Sequence, residues 1–307
     1  MASLGWVFTP YPPFPATLFP NIALWNVSNA AKNLTYQIGV SWPFEWESRE
    51  AANKSALTMY VIDGNALGMT ASEGFKRRKP VDPPQPDSVV VSIGYPLTDS
   101  VYDFTRRSID FRPPLPEPQD PPSGADDFID FLDGVLRPWV RSTVFPNVAF
   151  TRDALYGHSF GGLFVIYALI THPELFDTFI SASAAINWNN GSILDDVYRI
   201  DTPSPLLRRS PGCYSENSTE SRPALFIGYG SLEQFPVKRR TETEAAFQRR
   251  KSLFQTFRVT EYCYELYHRV RASGRTRDVV LKEYIGQDHA GVGGSALTDG
   301  IDYFVDW

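Results

Sequence analysis

Hydrophobic positions along this chain fall into short continuous runs separated by amphipathic stretches, which is the pattern of an α/β protein. Residues 33–42 alternate, with Leu34, Tyr36, Ile38 and Val40 on one face, and predict a strand that ends in Ser41-Trp42-Pro43-Phe44-Glu45-Trp46. Ala56 to Asp63 and Ser88 to Gly94 are nearly unbroken apolar runs of the kind that buried parallel strands show. Phe128, Phe131, Leu132 and Val135 recur at helical spacing with acids opposite, so residues 124–140 predict a covering helix. Strands are predicted again at 178–184, 223–230 and 278–285, with a charged helix at 241–257. The opening, residues 1–32, is rich in proline and reads as an extended arm packed by its aromatic side chains. Residues 95–123 read as a proline-rich excursion without regular structure, and residues 201–222 as a surface loop. Lys76-Arg77-Arg78-Lys79 reads as a solvated charge run.

Candidate chemistry centres on Leu155-Tyr156-Gly157-His158-Ser159-Phe160-Gly161-Gly162, an apolar strand that ends in Gly-x-Ser-x-Gly and opens an apolar helix. Such an elbow holds Ser159 in a strained turn at the tip of a sheet, with the Phe160 N–H at the helix N-terminus aimed at a developing oxyanion. Gly64-Asn65-Ala66 follows a central strand, where small residues let the backbone approach substrate, so the Asn65 N–H is the second oxyanion donor. His289 follows the final strand in a glycine-bounded loop, the position that nucleophile-acid-histidine order requires. Glu233, in the loop after the strand at 223–230, is the triad acid that fixes the His289 tautomer; Asp195, Asp196 and Asp278 are its rivals. Trp188, just past the strand at 178–184, and Trp46 are candidate aromatic walls of a substrate pocket. Arg106, Arg107 and Arg112 are candidates to hold a polar substrate group, and His158 reads as a packing residue of the elbow.

Composition narrows the class. At 307 residues and 43% hydrophobic content the chain buries a large core, and one domain is expected over 1–307. A net charge of −6 excludes a general nucleic-acid binder, which needs a basic face. No run is long and apolar enough for a membrane span, and the start has no basic-then-apolar leader, so a cytoplasmic location is expected. Cys213 and Cys263 are expected to be free thiols, against which stand the Asn-x-Ser/Thr sequons at Asn26, Asn33, Asn53, Asn190 and Asn217. The four histidines show no metal-ligand spacing, so no metal and no cofactor is implied.

With these residues in place, the chain resembles the esterase D-like α/β-hydrolases and, within them, the siderophore esterases. The resemblance rests on Tyr60-Val61-Ile62-Asp63-Gly64-Asn65-Ala66, Gly124-Ala125-Asp126-Asp127-Phe128, the Ser159 elbow, Trp188-Asn189-Asn190-Gly191-Ser192-Ile193-Leu194, Gly230-Ser231-Leu232-Glu233-Gln234 and Asp288-His289-Ala290. Arg107-Ser108-Ile109-Asp110-Phe111 is similar to a segment whose arginine lines the site in relatives, which raises Arg107 above Arg106 and Arg112. The chain departs from the pattern in carrying Glu233 where other esterase D-like enzymes carry Asp. The resemblance implies an α/β-hydrolase fold, a mostly parallel central sheet flanked by helices with the proline-rich excursion near the active site. It also implies a serine esterase that opens hydroxamate siderophores of the triacetylfusarinine C or fusarinine C type and releases iron inside the cell. A neutral ferric trihydroxamate suits an acidic protein better than a trianionic catecholate does. The competing readings are a general carboxylesterase or S-acylglutathione hydrolase, and a non-catalytic binding protein of the same fold.

Overall fold

In the computed structural model, residues 5–11, 20–201 and 222–306 are described; Cys213, Asn217 and the body of the loop expected at 201–222 lie outside them. The chain divides into two compact units, residues 1–155 with 301–307, and residues 156–300.

The first unit holds strands β1 (Trp6–Tyr11), β2 (Ile22–Asn29), β3 (Leu34–Ser41), β4 (Ser55–Ile62) and β5 (Ser88–Gly94), with helix α1 (Gly64–Arg78) between the last two. They run in the order β1-β2-β3-β5-β4, antiparallel as far as β5 and parallel between β5 and β4. Where the sequence reads as an extended arm, β1 and β2 form a hydrogen-bonded pair, and Pro10 falls in β1, the outermost strand of the described sheet, the part of a sheet to which proline is confined. Trp6 packs on Tyr36 and Phe131, with ring centroids 5.7 and 4.6 Å away. In β3 both faces are buried from Tyr36 to Ser41, not one face as the alternation suggests. The polar face is accommodated because the Ser41 hydroxyl donates to Ser72 on α1, which in turn donates to the Gly68 carbonyl.

The proline-rich excursion contains a helix, α2 (Phe104–Asp110), which corrects the expectation of no regular structure. Its seven residues hold no proline, and the Asp103 carboxylate caps it by accepting the Arg106 N–H. The covering helix runs longer than expected, as α3 (Ala125–Phe131), a π turn at Leu132–Leu136, α4 (Arg137–Trp139) and a second π turn at Val140–Val144. Pro138, which cannot donate, sits between the two wide turns.

Strand β6 (Ala149–His158) leads into the second unit, made of α5 (Phe160–Thr171), β7 (Thr178–Ala182), a 3-10 segment at Trp188–Asp201, β8 (Ala224–Gly230), α6 (Ser231–Gln234), α7 (Glu244–Thr256), α8 (Val259–Ser273), β9 (Asp278–Tyr284) and α9 (His289–Val305). Helix α5 is buried on every side from Gly161 to Ile170, as an apolar helix without a polar face must be. Helix α8 buries Val259, Cys263, Leu266 and Val270, one stripe at helical spacing, and the Cys263 thiol is free and inaccessible. Strands β7, β8 and β9 pair in parallel, with Gly230 opposite Tyr284. That register sets the loops after β8 and β9 side by side, and these loops carry Glu233 and His289.

Candidate active site

Ser159 stands between β6 and α5 with φ 60° and ψ −119°, a backbone conformation that a residue with a Cβ adopts only under constraint. Three hydrogen bonds hold it: its N–H donates to the Ala182 carbonyl at 3.0 Å, and its own carbonyl accepts from Leu163 and Ala185, each at 3.0 Å. The tight approach between the elbow helix and β7 falls at Gly162, where a Cβ would lie 2.9 Å from the Ala182 carbonyl oxygen and 3.0 Å from Ala184 Cα. Phe160 opens α5, so its N–H belongs to the first turn, whose amides point out of the helix end.

His289 opens α9, and its Nδ1 lies 2.7 Å from Glu233 Oε2. The Glu233 side chain is 2% exposed and the His289 side chain 48%. The acid is therefore sealed behind the imidazole, which itself remains reachable. Glu233 sits in the single turn of α6, and its other oxygen accepts the Ser183 hydroxyl at 2.5 Å and the Gly230 N–H at 2.6 Å. Three donors compensate a buried carboxylate that would otherwise be costly. A proton on Nδ1 facing Glu233 leaves the His289 Nε2 lone pair free to accept one, which is the tautomer a general base needs. Burial, with the nearby Glu233 charge adding to it, pushes the Cys263 thiol pKa up, so that it carries no reactive thiolate.

His158, the residue before Ser159, is buried, and its Nε2 lies 2.8 Å from the His289 carbonyl oxygen. The two rings approach at 4.5 Å. The histidine that precedes Ser159 thus braces the backbone of the histidine after β9. Sequence reasoning assigned His158 packing alone, and it passed over Ser183 entirely. The signal for Ser183 was its place directly after β7, where the chain turns with φ 43°.

Trp188 is half-buried at the start of the 3-10 segment, and its N–H donates to the Ala185 carbonyl, the residue whose own N–H holds Ser159. Asn189, Asn190 and Gly191 then turn with positive φ, between 47° and 78°.

Asn65 is in the first turn of α1 in the first unit. Its side-chain amide donates to the Tyr95 carbonyl at 2.7 Å, and a Cβ at Gly94 would collide with that side chain, so glycine is required there. Asp63 precedes the helix in the left-handed region, φ 54° and ψ 44°. Its carboxylate is held by Arg107, through Nε at 3.0 Å and Nη2 at 2.7 Å, and both side chains are buried. Arg107 is itself fixed by α2, which Asp110 anchors by accepting the hydroxyls of Tyr36 and Tyr95, each at 3.0 Å, and an ion pair from Arg106. Burial raises the pKa of Asp63 and Asp110 and outweighs the arginine beside each, which lowers it. Arg107 is therefore committed to the loop that carries Asn65. Trp46 is buried too, with its N–H donated to Asp87 at 2.8 Å. Asp87 precedes β5 while Tyr95 follows it, so Trp46 stands at the opposite end of that strand from Asn65 and is a packing residue. Among the described residues no cluster of His, Cys, Asp or Glu has the makings of a metal site, and no helix is long and apolar enough to cross a membrane.

The family described as "Putative esterase" matches residues 87–274. The chain is 42% identical to a siderophore enterobactin esterase of Emericella nidulans over 96% of both sequences. It is 34% identical to a siderophore triacetylfusarinine C esterase of Aspergillus fumigatus over 89% of both. The siderophore hydrolase EstA of Aspergillus nidulans has the same fold, with a TM-score of 0.84 at 40% identity over 96% of this chain and 98% of that one. The chain thus has the α/β-hydrolase fold that the resemblance implies, and it belongs to the esterase family that includes these siderophore esterases.

Proposed function

We propose that this protein is a serine esterase that opens the ester bonds of a siderophore by two-step acyl transfer, with Ser159 as nucleophile, His289 as general base and Glu233 as the acid that orients it. The observation that carries this reading is the 2.7 Å contact between Glu233 and His289, whose carbonyl meets His158, the neighbour of a serine in a strained elbow, in a chain 42% identical to an enterobactin esterase. His289 Nε2 takes the Ser159 hydroxyl proton as Oγ bonds to the ester carbonyl carbon. The N–H groups of Phe160 and Asn65 hold the oxyanion, a contribution worth about 3–4 kcal/mol per donor in enzymes of this kind. The proton then passes to the departing alkoxide and leaves an acyl-Ser159 ester. Water, deprotonated by His289, releases the carboxylic acid and restores the serine. Trp188 is the aromatic wall against which the siderophore arm rests.

The substrate we favour is a ferric trihydroxamate triester of the triacetylfusarinine C type, because the net charge of −6 suits a neutral iron complex and one relative is named for that substrate. A second reading, an enterobactin-type triester, has the support of the relative at 42% identity. Mass spectrometry of both ferric siderophores after incubation with wild-type protein and with Ser159→Ala separates them. Successive additions of water to one compound, with wild type alone, are expected. Turnover undiminished by Ser159→Ala would overturn the mechanism, and survival of both siderophores would overturn the substrate class.

A further inference from the structure

Two sequence features that catalysis leaves unused, the Trp42-Pro43-Phe44-Glu45 segment and the basic run Lys76-Arg77-Arg78-Lys79, meet in the first unit. Between them lies a half-open cavity of about 430 Å³, walled mainly by Trp42, Phe44, Phe75, Pro83 and Val90, with Lys76 and Lys79 at its edge. This volume is in the range of small-molecule sites. The cavity adjoins Ser88, at the amino end of β5, whereas Asn65 bonds the Tyr95 carbonyl beyond the other end. The length of the strand, roughly 20 Å, separates the two.

The two ammonium groups differ. Lys79 Nζ lies 3.0 Å from Asp87 and 2.6 Å from the Gln85 carbonyl, so its charge is matched. Lys76 Nζ has the Pro20 carbonyl at 3.1 Å and the face of Phe44 at 4.6 Å, and among the described residues it has no carboxylate in ion-pair range. Glu45, the remaining acid at the rim, is exposed to water. Burial lowers the Lys76 pKa, a cost that an adjacent anion reverses. Phe44, 57% exposed, leaves apolar surface in water, and the buried Trp42 indole N–H has no acceptor among the described residues. A second cavity of about 340 Å³ shares Phe44, Ser72 and Lys76 with the first.

We propose that this cavity is a second ligand site, at the end of β5 opposite the Asn65 loop, for an amphipathic monocarboxylate whose aryl or alkyl body fills the apolar cleft and whose carboxylate pairs with Lys76. An anion answers Lys76, the rim cation without a carboxylate partner among the described residues, and an apolar body covers Phe44. A cationic or wholly neutral ligand would leave Lys76 as it is.

Titration calorimetry of the full chain with 4-phenylbutanoate and with the neutral 4-phenylbutanamide tests this. The acid is expected to bind saturably at one site and about tenfold more tightly than the amide, the worth of one charge-assisted contact. Lys76→Met, or Lys76→Gln should the first variant fold poorly, is expected to remove that preference, and Phe44→Ala to weaken acid and amide together. Equal binding of acid and amide by the wild type overturns the proposal, as does the absence of saturable binding. Acid affinity unchanged in both a Lys76 and the Phe44 variant overturns it equally.

Discussion

Arg107 grips both carboxylate oxygens of Asp63, and neither residue is accessible to water. Asp63 holds the left-handed turn from which α1 and Asn65 start, so the ion pair fixes the shape of the loop that carries Asn65. Arg107→Ala leaves a buried carboxylate unpaired and is expected to destabilise the fold by about 3–5 kcal/mol, read from the denaturant midpoint, with a fall in kcat. Arg107→Lys recovers only part of the loss, because an ammonium cannot hold both oxygens. Burial already raises the Asp63 pKa, so in Arg107→Ala the carboxylate takes up a proton as pH falls, and the defect shrinks toward acid pH. Asp63→Asn added to Arg107→Ala is expected to restore stability for the same reason. A midpoint unchanged by Arg107→Ala would show that the pair contributes nothing net.

Glu233 divides its oxygens between His289 on one side and Ser183 with Gly230 on the other. Glu233→Gln puts an amide opposite His289 Nδ1 and favours the wrong tautomer, so kcat is expected to fall by roughly 10²–10⁴ with KM little changed. Ser183→Ala removes one of three donors and leaves the carboxylate aimed correctly, and about a tenfold fall in kcat is expected. Steady-state kinetics on a p-nitrophenyl ester ranks the two. A Ser183 variant as impaired as Glu233→Gln would mean that the hydroxyl acts on more than the acid.

The parts of this molecule that were legible in the sequence are those fixed by local pattern. The buried strands announce themselves as apolar runs, and the elbow is written in five consecutive residues, so β4, β5, β8 and β9 and the position of Ser159 follow directly. Long-range pairings left no such trace. Arg107 reads as a residue offered to substrate because nothing in its surroundings names Asp63, 44 positions away, as its partner. Trp46 reads as a pocket wall for the same reason, since its acceptor Asp87 belongs to another element. The elbow motif fixes glycine at 157 and 161, and the close approach to β7 is made by Gly162, one residue past the motif.

That approach yields a paired test of packing. A methyl at Gly162 meets backbone atoms of Ala182 and Ala184, which cannot swing aside, so Gly162→Ala is expected to cost about 1–3 kcal/mol. It should also lower kcat, because the same stretch of backbone holds Ser159. Gly134 is the control: it lies in the helical run with nothing within 4 Å of a built Cβ. Gly134→Ala is expected to stabilise by about 0.4–1 kcal/mol by restricting the unfolded chain. Thermal unfolding of both variants reads the two signs, and equal effects would remove the argument from close approach.

Substitution of Trp188 gives a test that separates recognition from chemistry. Its backbone is tied to Ala185 and through it to Ser159, while its indole is half-buried and borders the exposed turn at Asn189 and Asn190. A side chain that supports substrate contributes to bulky and small esters unequally, whereas one that merely fills the core affects both alike. Trp188→Ala is therefore expected to raise KM for the ferric siderophore about tenfold, a loss of about 1.4 kcal/mol of binding, and to leave kcat for p-nitrophenyl acetate near the wild-type value. Trp46→Phe, which deletes the N–H donated to Asp87 at the other end of β5, is expected to lower stability and leave both KM values alone. If Trp188→Ala instead lowers kcat for the two substrates by the same factor, its indole braces the elbow, and the wall that holds the siderophore must be sought among other side chains.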